Sequence, residues 1–234
     1  MSSQGLGDII QTTHLIKQML ELNPASILLT VRAEIFRVVS YMFEDDSRIK
    51  IQVSLPAESD YHYFIPLYSV YKLLQVNSSA VAAWFTINQI DISFARQLMK
   101  NTSNAIGIVW RGNPAHSNDA KRSITLQEML VRLGDTGARP VYSLQFDVTL
   151  EEKAQLAEAG IVDLSSKIRD LYDIGCFLKN LNVFVTIDSA PLHLAGALGV
   201  NTLALLPEGY EDWRWGIVGD RKWYSSVKLI RFKR

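Results

Sequence analysis

The sequence predicts an α/β protein built on parallel sheets in two parts. Short apolar runs alternate with stretches that carry apolar residues at helical spacing, and the alternation becomes regular after about residue 100. Several of the runs are apolar throughout, as strands covered on both faces are: SILLTV at 26–31, AIGIVW at 105–110 and VFVTI at 183–187.

Taken in order, residues 6–22 read as a helix with Ile9, Ile10, Leu15, Ile16, Met19 and Leu20 on its apolar side. Asn23-Pro24 ends it, because the residue before proline avoids the helical region. A strand follows at 26–31, a helix at 32–43 and a weaker strand at 49–53. Tyr61 to Pro66 is a further candidate strand, and Tyr71 to Leu74 a short helix. The mixed polarity of 76–88 marks a boundary, giving a shortened part at residues 1–80 and a larger one at 81–234. The larger part reads as helix 92–100, strand 105–110, helix 125–133, strand 140–145, helix 150–159 and strand 161–164. Helix 168–181, strand 183–187, helix 190–198 and strand 202–206 follow. Regular alternation implies a doubly wound parallel sheet, which takes its ligands beyond the carboxyl ends of the strands. The loops after Trp110, Gln145 and Ile187 are therefore the places to look for a site.

Composition narrows the functions. The 24 basic and 24 acidic residues cancel, so no global field draws in a nucleic acid or an anionic membrane, and any anion site must be local. No apolar run approaches the ~18 residues of a membrane span, and no basic start precedes an apolar run as in a signal peptide. The single cysteine, Cys176, sits in an apolar helical context and reads as a buried thiol in a reducing compartment. A cytoplasmic location follows, compatible with peripheral contact at the inner membrane. The chain shows no P-loop, no G-x-G-x-x-G fingerprint after a strand, no zinc-site spacing and no G-x-S-x-G elbow. It also shows no D-x-D pair suited to a divalent ion, so neither a metal nor a cofactor is expected.

Four segments could carry chemistry. The sharpest is DSAPLHLAGA at 188–197, where a strand ends, Ser189 stands at a helix cap position and Pro191 lies in the first turn. Free N–H groups and the helix dipole suit such a turn to a diphosphate, and His193 in the first turn is within reach of an anion. The plainer reading is an ordinary capped turn. The second is WRGNPAHSNDAKRSI at 110–124, long for its position: Gly112 permits close backbone approach, and Lys121 and Arg122 offer cations. A solvated surface loop competes with that reading. The third is Gly5-Leu6-Gly7-Asp8, where Asp8 is either a helix cap or a general base. The fourth is EDWRW at 211–215 with Trp223-Tyr224 behind it, aromatic residues that either stack on a ligand or pack a C-terminal tail.

The strings GIVWRGNPAHSNDAKRSI, TIDSAPLHLAGALGV and LLPEGYEDWRWGIVGDRKWYSSVKLIRF, with QGLGDIIQTTHLI at the start, resemble one group. It is the heptosyltransferase-like, family 9-type glycosyltransferases, in the branch often found behind tetratricopeptide repeats in bacteria. The resemblance implies a GT-B-like fold of two Rossmann-like domains facing a cleft, with the N-terminal acceptor domain shortened here. It implies an inverting, metal-independent transfer from a nucleotide sugar, used as substrate, to an acceptor hydroxyl. Asp8 would be the base. Ser189, Ala190 and His193, with Asp188, would lie against the donor diphosphate, and Lys121 or Arg122 would neutralise the leaving group. Gly112, Asn113, Gln145, Asp170 and Trp213 would border the nucleoside or sugar. The acceptor stays open among a glycan, a lipid-linked glycan and a protein. The sparse N-terminal strand pattern is compatible with a homo-oligomer or a partner chain completing that sheet. Two other readings stand beside this one: a non-catalytic nucleotide-sugar-binding or scaffold module, and an enzyme acting on the nucleotide sugar itself, such as an epimerase.

Overall fold

The computed structural model describes residues 5–75, 81–100, 102–209, 215 and 223–233. The chain divides into two compact units, residues 1–78 and 79–234.

The first unit opens with helices α1 (Leu6–Thr12) and α2 (His14–Met19), followed by a 3-10 turn at Leu20–Leu22. The sequence pattern suggests one helix here, and the structure breaks it at Thr13. The Thr12 hydroxyl donates to the Asp8 and Ile9 carbonyls, and the Thr13 hydroxyl to the Ile10 carbonyl. Such back-bonding bends helices. Asn23, left-handed at φ 55°, ends the segment before Pro24. Strands β1 (Ile27–Thr30) and β2 (Ile49–Gln52) then pair in parallel across α3 (Ala33–Met42). Helix α3 turns Ile35, Val38, Val39 and Met42 inward, spacing that suits one buried helical face. The expected strand at 61–66 is absent. A 3-10 turn at Glu58–Asp60 leads into an extended segment in which Tyr63 is 94% exposed. Pro66 has no N–H to give a ladder, and no strand pairs with the segment among the described residues. Helix α4 (Ser69–Leu73) closes the unit.

The second unit is a six-stranded sheet among the described residues, all parallel. Its strands are β3 (Ile106–Val109), β4 (Val141–Ser143), β5 (Val162–Asp163), β6 (Val183–Ile187), β7 (Thr202–Pro207) and β8 (Val227–Phe232). The helices are α5 (Gln89–Leu98), α6 (Asp119–Arg122), α7 (Leu126–Leu133), α8 (Leu150–Glu158), α9 (Leu171–Leu178) and α10 (Ala190–Ala197). Spatial order is β5-β4-β3-β6-β7-β8, which in strand rank is the 3-2-1-4-5-6 order of a Rossmann sheet. One face packs Ile106, Ile108, Trp110, Met129 and Leu156. Helices α9 and α10 pack together, with Tyr172, Phe177 and Leu194 fully buried or nearly so. Helix starts are fixed by local chemistry. Thr125 and Glu128 cap α7 reciprocally, Thr149 and Glu152 cap α8, and Asp170 caps α9 by accepting from the Tyr172 and Asp173 N–H groups. The cap at Asp170 moves the start of α9 three residues past the expected 168. Residues 227–232, read from sequence only as part of a packing tail, form the sixth strand beside β7. The fold is α/β, with its first unit carrying the smaller sheet.

Candidate functional site

Strands β3 and β6 are neighbours, and the chain winds away from them in opposite directions. This is the topological switch of the sheet, where a crevice opens beyond the strand ends. Val109 pairs with Thr186, so the loops after β3 and β6 leave the sheet side by side. The β3 loop reaches across the end of β6, because its helix α6 touches β7. Both of the strongest sequence segments therefore stand at one place.

The β6–α10 turn is formed by Asp188 and Ser189, both buried. Ser189 holds the cap position with extended backbone, but its hydroxyl donates back to the Ile187 carbonyl at 3.4 Å instead of capping the helix. Pro191 occupies the first turn as expected. Among the described residues no side chain caps α10, so its positive end stands at the switch point with the Ala190 N–H, the kind of place that receives an anion. His193 faces the other way. It is buried, with Nδ1 2.7 Å from the Tyr224 hydroxyl and Nε2 3.4 Å from Asp188 Oδ1. Its ring stacks on Trp215 at 5.7 Å. The Trp215 indole N–H is buried and has no hydrogen-bond partner among the described residues.

In the β3 loop, Gly112 leaves room for the side-chain ends of Asp119 and Arg122. A Cβ there would lie 2.5 Å from Asp119 Oδ1 and 2.8 Å from Arg122 Nη2. The Arg122 Nε donates to that same Asp119 oxygen at 3.3 Å, and the Gly112 N–H donates to the Ser123 hydroxyl at 2.9 Å. Arg122 is thus held against the loop backbone, while Lys121 on the same short helix is exposed. Asn113 is exposed and accepts the Ala115 N–H, which shapes its own turn.

Gln145 and Asp170 serve inward roles. The Gln145 side-chain oxygen accepts the Trp110 and Arg111 N–H groups, and its nitrogen donates to the Arg111 carbonyl and to Asp147. Those bonds use both of its donors and both lone pairs, so Gln145 shapes the start of the β3 loop. Phe146, the next residue, is 60% exposed at the carboxyl end of the sheet and offers a ring face that the sequence reading passed over. The signal was available: past the end of a strand, consecutive residues alternate between faces. Asp170 is the α9 cap already described. Asp8, in the first unit, accepts the Gly5 N–H at 3.0 Å. Gly5 has no side chain, so only the acidic half of a reciprocal cap exists there. Trp213 lies outside the described residues.

Arg111 and Glu152 brace the loop from behind. Arg111 pairs with Asp147 at 2.8 Å and Glu152 at 2.7 Å, and the Trp110 indole N–H donates to Glu152 at 2.9 Å. Burial opposes the Glu152 charge, but the Thr149 backbone, the Trp110 indole and Arg111 outweigh it and hold the carboxyl below its ordinary range. Among the described residues no group of three or more His, Cys, Asp or Glu could hold a metal ion, and no helix is long and apolar enough to cross a membrane. Cys176 is a buried residue of α9.

The sheet order and the paired loops define the Rossmann-like class. Among solved structures the chain is similar to E. coli ADP-heptose LPS heptosyltransferase II, with a TM-score of 0.65 and 15% identity over 99% of this chain and 89% of that one. It is also similar to the family 9 glycosyl transferase from Veillonella parvula DSM 2008, with a TM-score of 0.62 and 12% identity over 97% and 84%. No family model and no curated protein matches the sequence. The fold of the chain is heptosyltransferase-like.

Proposed function

We propose that the chain is a glycosyltransferase that takes its sugar from a nucleotide sugar and transfers it, with inversion and without a metal, to an acceptor hydroxyl. The observation that carries this reading is the start of α10 at the switch point, without a side-chain cap among the described residues and beside the loop that holds Arg122. The diphosphate sits at that helix start, where the dipole and backbone N–H groups meet its charge. Arg122, with Lys121, meets the charge that grows on the leaving nucleoside diphosphate. Phe146 offers a ring on which a base can stack. In the first unit Asp8 takes the proton of the acceptor hydroxyl. The hydroxyl oxygen bonds to the anomeric carbon as the bond to the diphosphate oxygen breaks.

The test is transfer from a panel of nucleotide sugars that includes ADP-heptose, the compound for which the E. coli neighbour is named. Wild-type protein transfers with inversion and with no loss in chelator. Asp8→Asn keeps donor binding and loses transfer by about 100-fold or more. Transfer by Asp8→Asn at the wild-type rate would overturn the assignment of the base. A second reading, donor binding without transfer, draws on the Gly5–Asp8 bond, which already gives Asp8 a structural task. It is the better reading if wild type binds a donor yet transfers to none of a broad set of glycans, lipid-linked glycans and proteins.

A further inference from the structure

Three side chains stand in line behind the β6–α10 turn: Tyr224, His193 and Asp188, at 0%, 3% and 2% exposure. The Tyr224 hydroxyl is 2.7 Å from His193 Nδ1, and His193 Nε2 is 3.4 Å from Asp188 Oδ1. A carboxylate only accepts hydrogen bonds, so the proton facing Asp188 belongs to Nε2. A neutral imidazole carries one N–H, so Nδ1 is then an acceptor and Tyr224 is the donor. For a neutral ring the contacts then run one way, from the Tyr224 O–H to Nδ1 and from Nε2–H toward Asp188 Oδ1 at an ion-pair distance of 3.4 Å.

The surroundings hold that line in place. The imidazole is stacked on Trp215, with 20° between the planes, and meets the edge of Tyr224 at 65°. Tyr224 in turn lies over Gly196, one turn further along the same face of α10, where any Cβ would strike the phenol ring. Trp84 stacks on its other side at 5.8 Å. The Val81 N–H donates to the Trp223 carbonyl and the Ser225 N–H to the Val81 carbonyl, which fixes the backbone around Tyr224.

We infer that Tyr224 is a positioning residue for the anion site: its hydroxyl orients His193, whose Nε2 faces the Asp188 carboxylate next to the start of α10. A bare carboxylate beside that helix start would repel the anion the helix attracts. An imidazole N–H facing Asp188 offsets part of that charge. The consequence for ligand binding rests on the function proposed above, while the hydrogen-bonded line itself does not.

The experiment is ¹H–¹⁵N spectroscopy of the histidine rings at a pH where they are neutral, with the His193 signals assigned by their loss in His193→Gln. Wild type shows the Nε2–H form with Nδ1 accepting a hydrogen bond. Tyr224→Phe keeps the ring over Gly196, moves the Nδ1 resonance to the value of a free acceptor, and weakens binding about threefold to tenfold. The probe for binding is whichever of ADP, UDP, GDP, CDP and TDP wild type binds tightest. An Nδ1–H form in wild type, or an Nδ1 resonance unmoved in Tyr224→Phe, overturns the line. A moved resonance with unchanged nucleotide affinity overturns the positioning role. If wild type binds none of the five, the proposed function fails, and the line is still decided by the wild-type ring resonances, which need no variant.

Discussion

At Gly112 a single added methyl group would enter the space of Asp119 Oδ1 and Arg122 Nη2, the two groups whose bond holds Arg122 in the β3 loop. Gly112→Ala must displace the ends of these two flexible side chains, so it is expected to cost about 1 kcal/mol or less in denaturant unfolding, and to weaken nucleoside diphosphate binding further than the stability loss explains. Unchanged affinity in a folded Gly112→Ala protein would show that Arg122 is not part of the site. Residue by residue, the sequence was legible where local chemistry decides. Pro191 in the first turn of α10 is of that kind. It was not legible where a distant partner decides. His193 looks from sequence like a group facing the helix end, but Tyr224, 31 residues on, draws it inward. Gln145 looks like a loop residue open to ligand, yet its bonds go to Trp110, Arg111 and Asp147.

Among the elements, α8 shows how a helix start can stiffen a neighbouring loop. Glu152 closes the cap with Thr149 and also takes the Trp110 indole and Arg111. Its carboxyl is held below the ordinary range, so the stability it supplies is full above the unfolded pKa of ~4.3 and is lost as pH falls through the lower folded value. Glu152→Gln is expected to lose about 1–2 kcal/mol at neutral pH, with the gap to wild type closing below about pH 4, in urea unfolding across pH. A gap that stays constant to pH 2 would mean the carboxylate charge contributes nothing. The strands at 105–110, 183–187 and 202–206 were legible because continuous apolar runs mark strands buried on both faces. Strand β8 was not. VKLIRF carries two charges in six residues and, among the described residues, pairs with β7 alone, an edge position at which most of its side chains are only half-buried. The break between α1 and α2 was missed because threonine hydroxyls, and not a proline or glycine, turn the helix.

At the scale of the molecule, the feature that organises the site is the strand order. The switch between β3 and β6 puts two loops, each read separately from the sequence, at the same end of neighbouring strands. Alternation of strands and helices pointed to a doubly wound sheet, but strand order depends on which strands pair, and that is written in long-range packing that no local pattern displays. The same holds for the first unit, where the pairing of β1 with β2 follows from the helix crossing between them, and the segment after β2 finds no partner among the described residues. The central claim is that the start of α10 receives the diphosphate of a nucleotide. The measurement that tests it most directly is a thermal-shift titration of the wild-type chain with ADP, UDP, GDP, CDP and TDP. The account predicts a saturable rise in Tm with at least one of them, since a ligand at ~100 times its Kd adds about 2.7 kcal/mol to the native state. A cooperatively unfolding protein whose Tm moves with none of the five would contradict it.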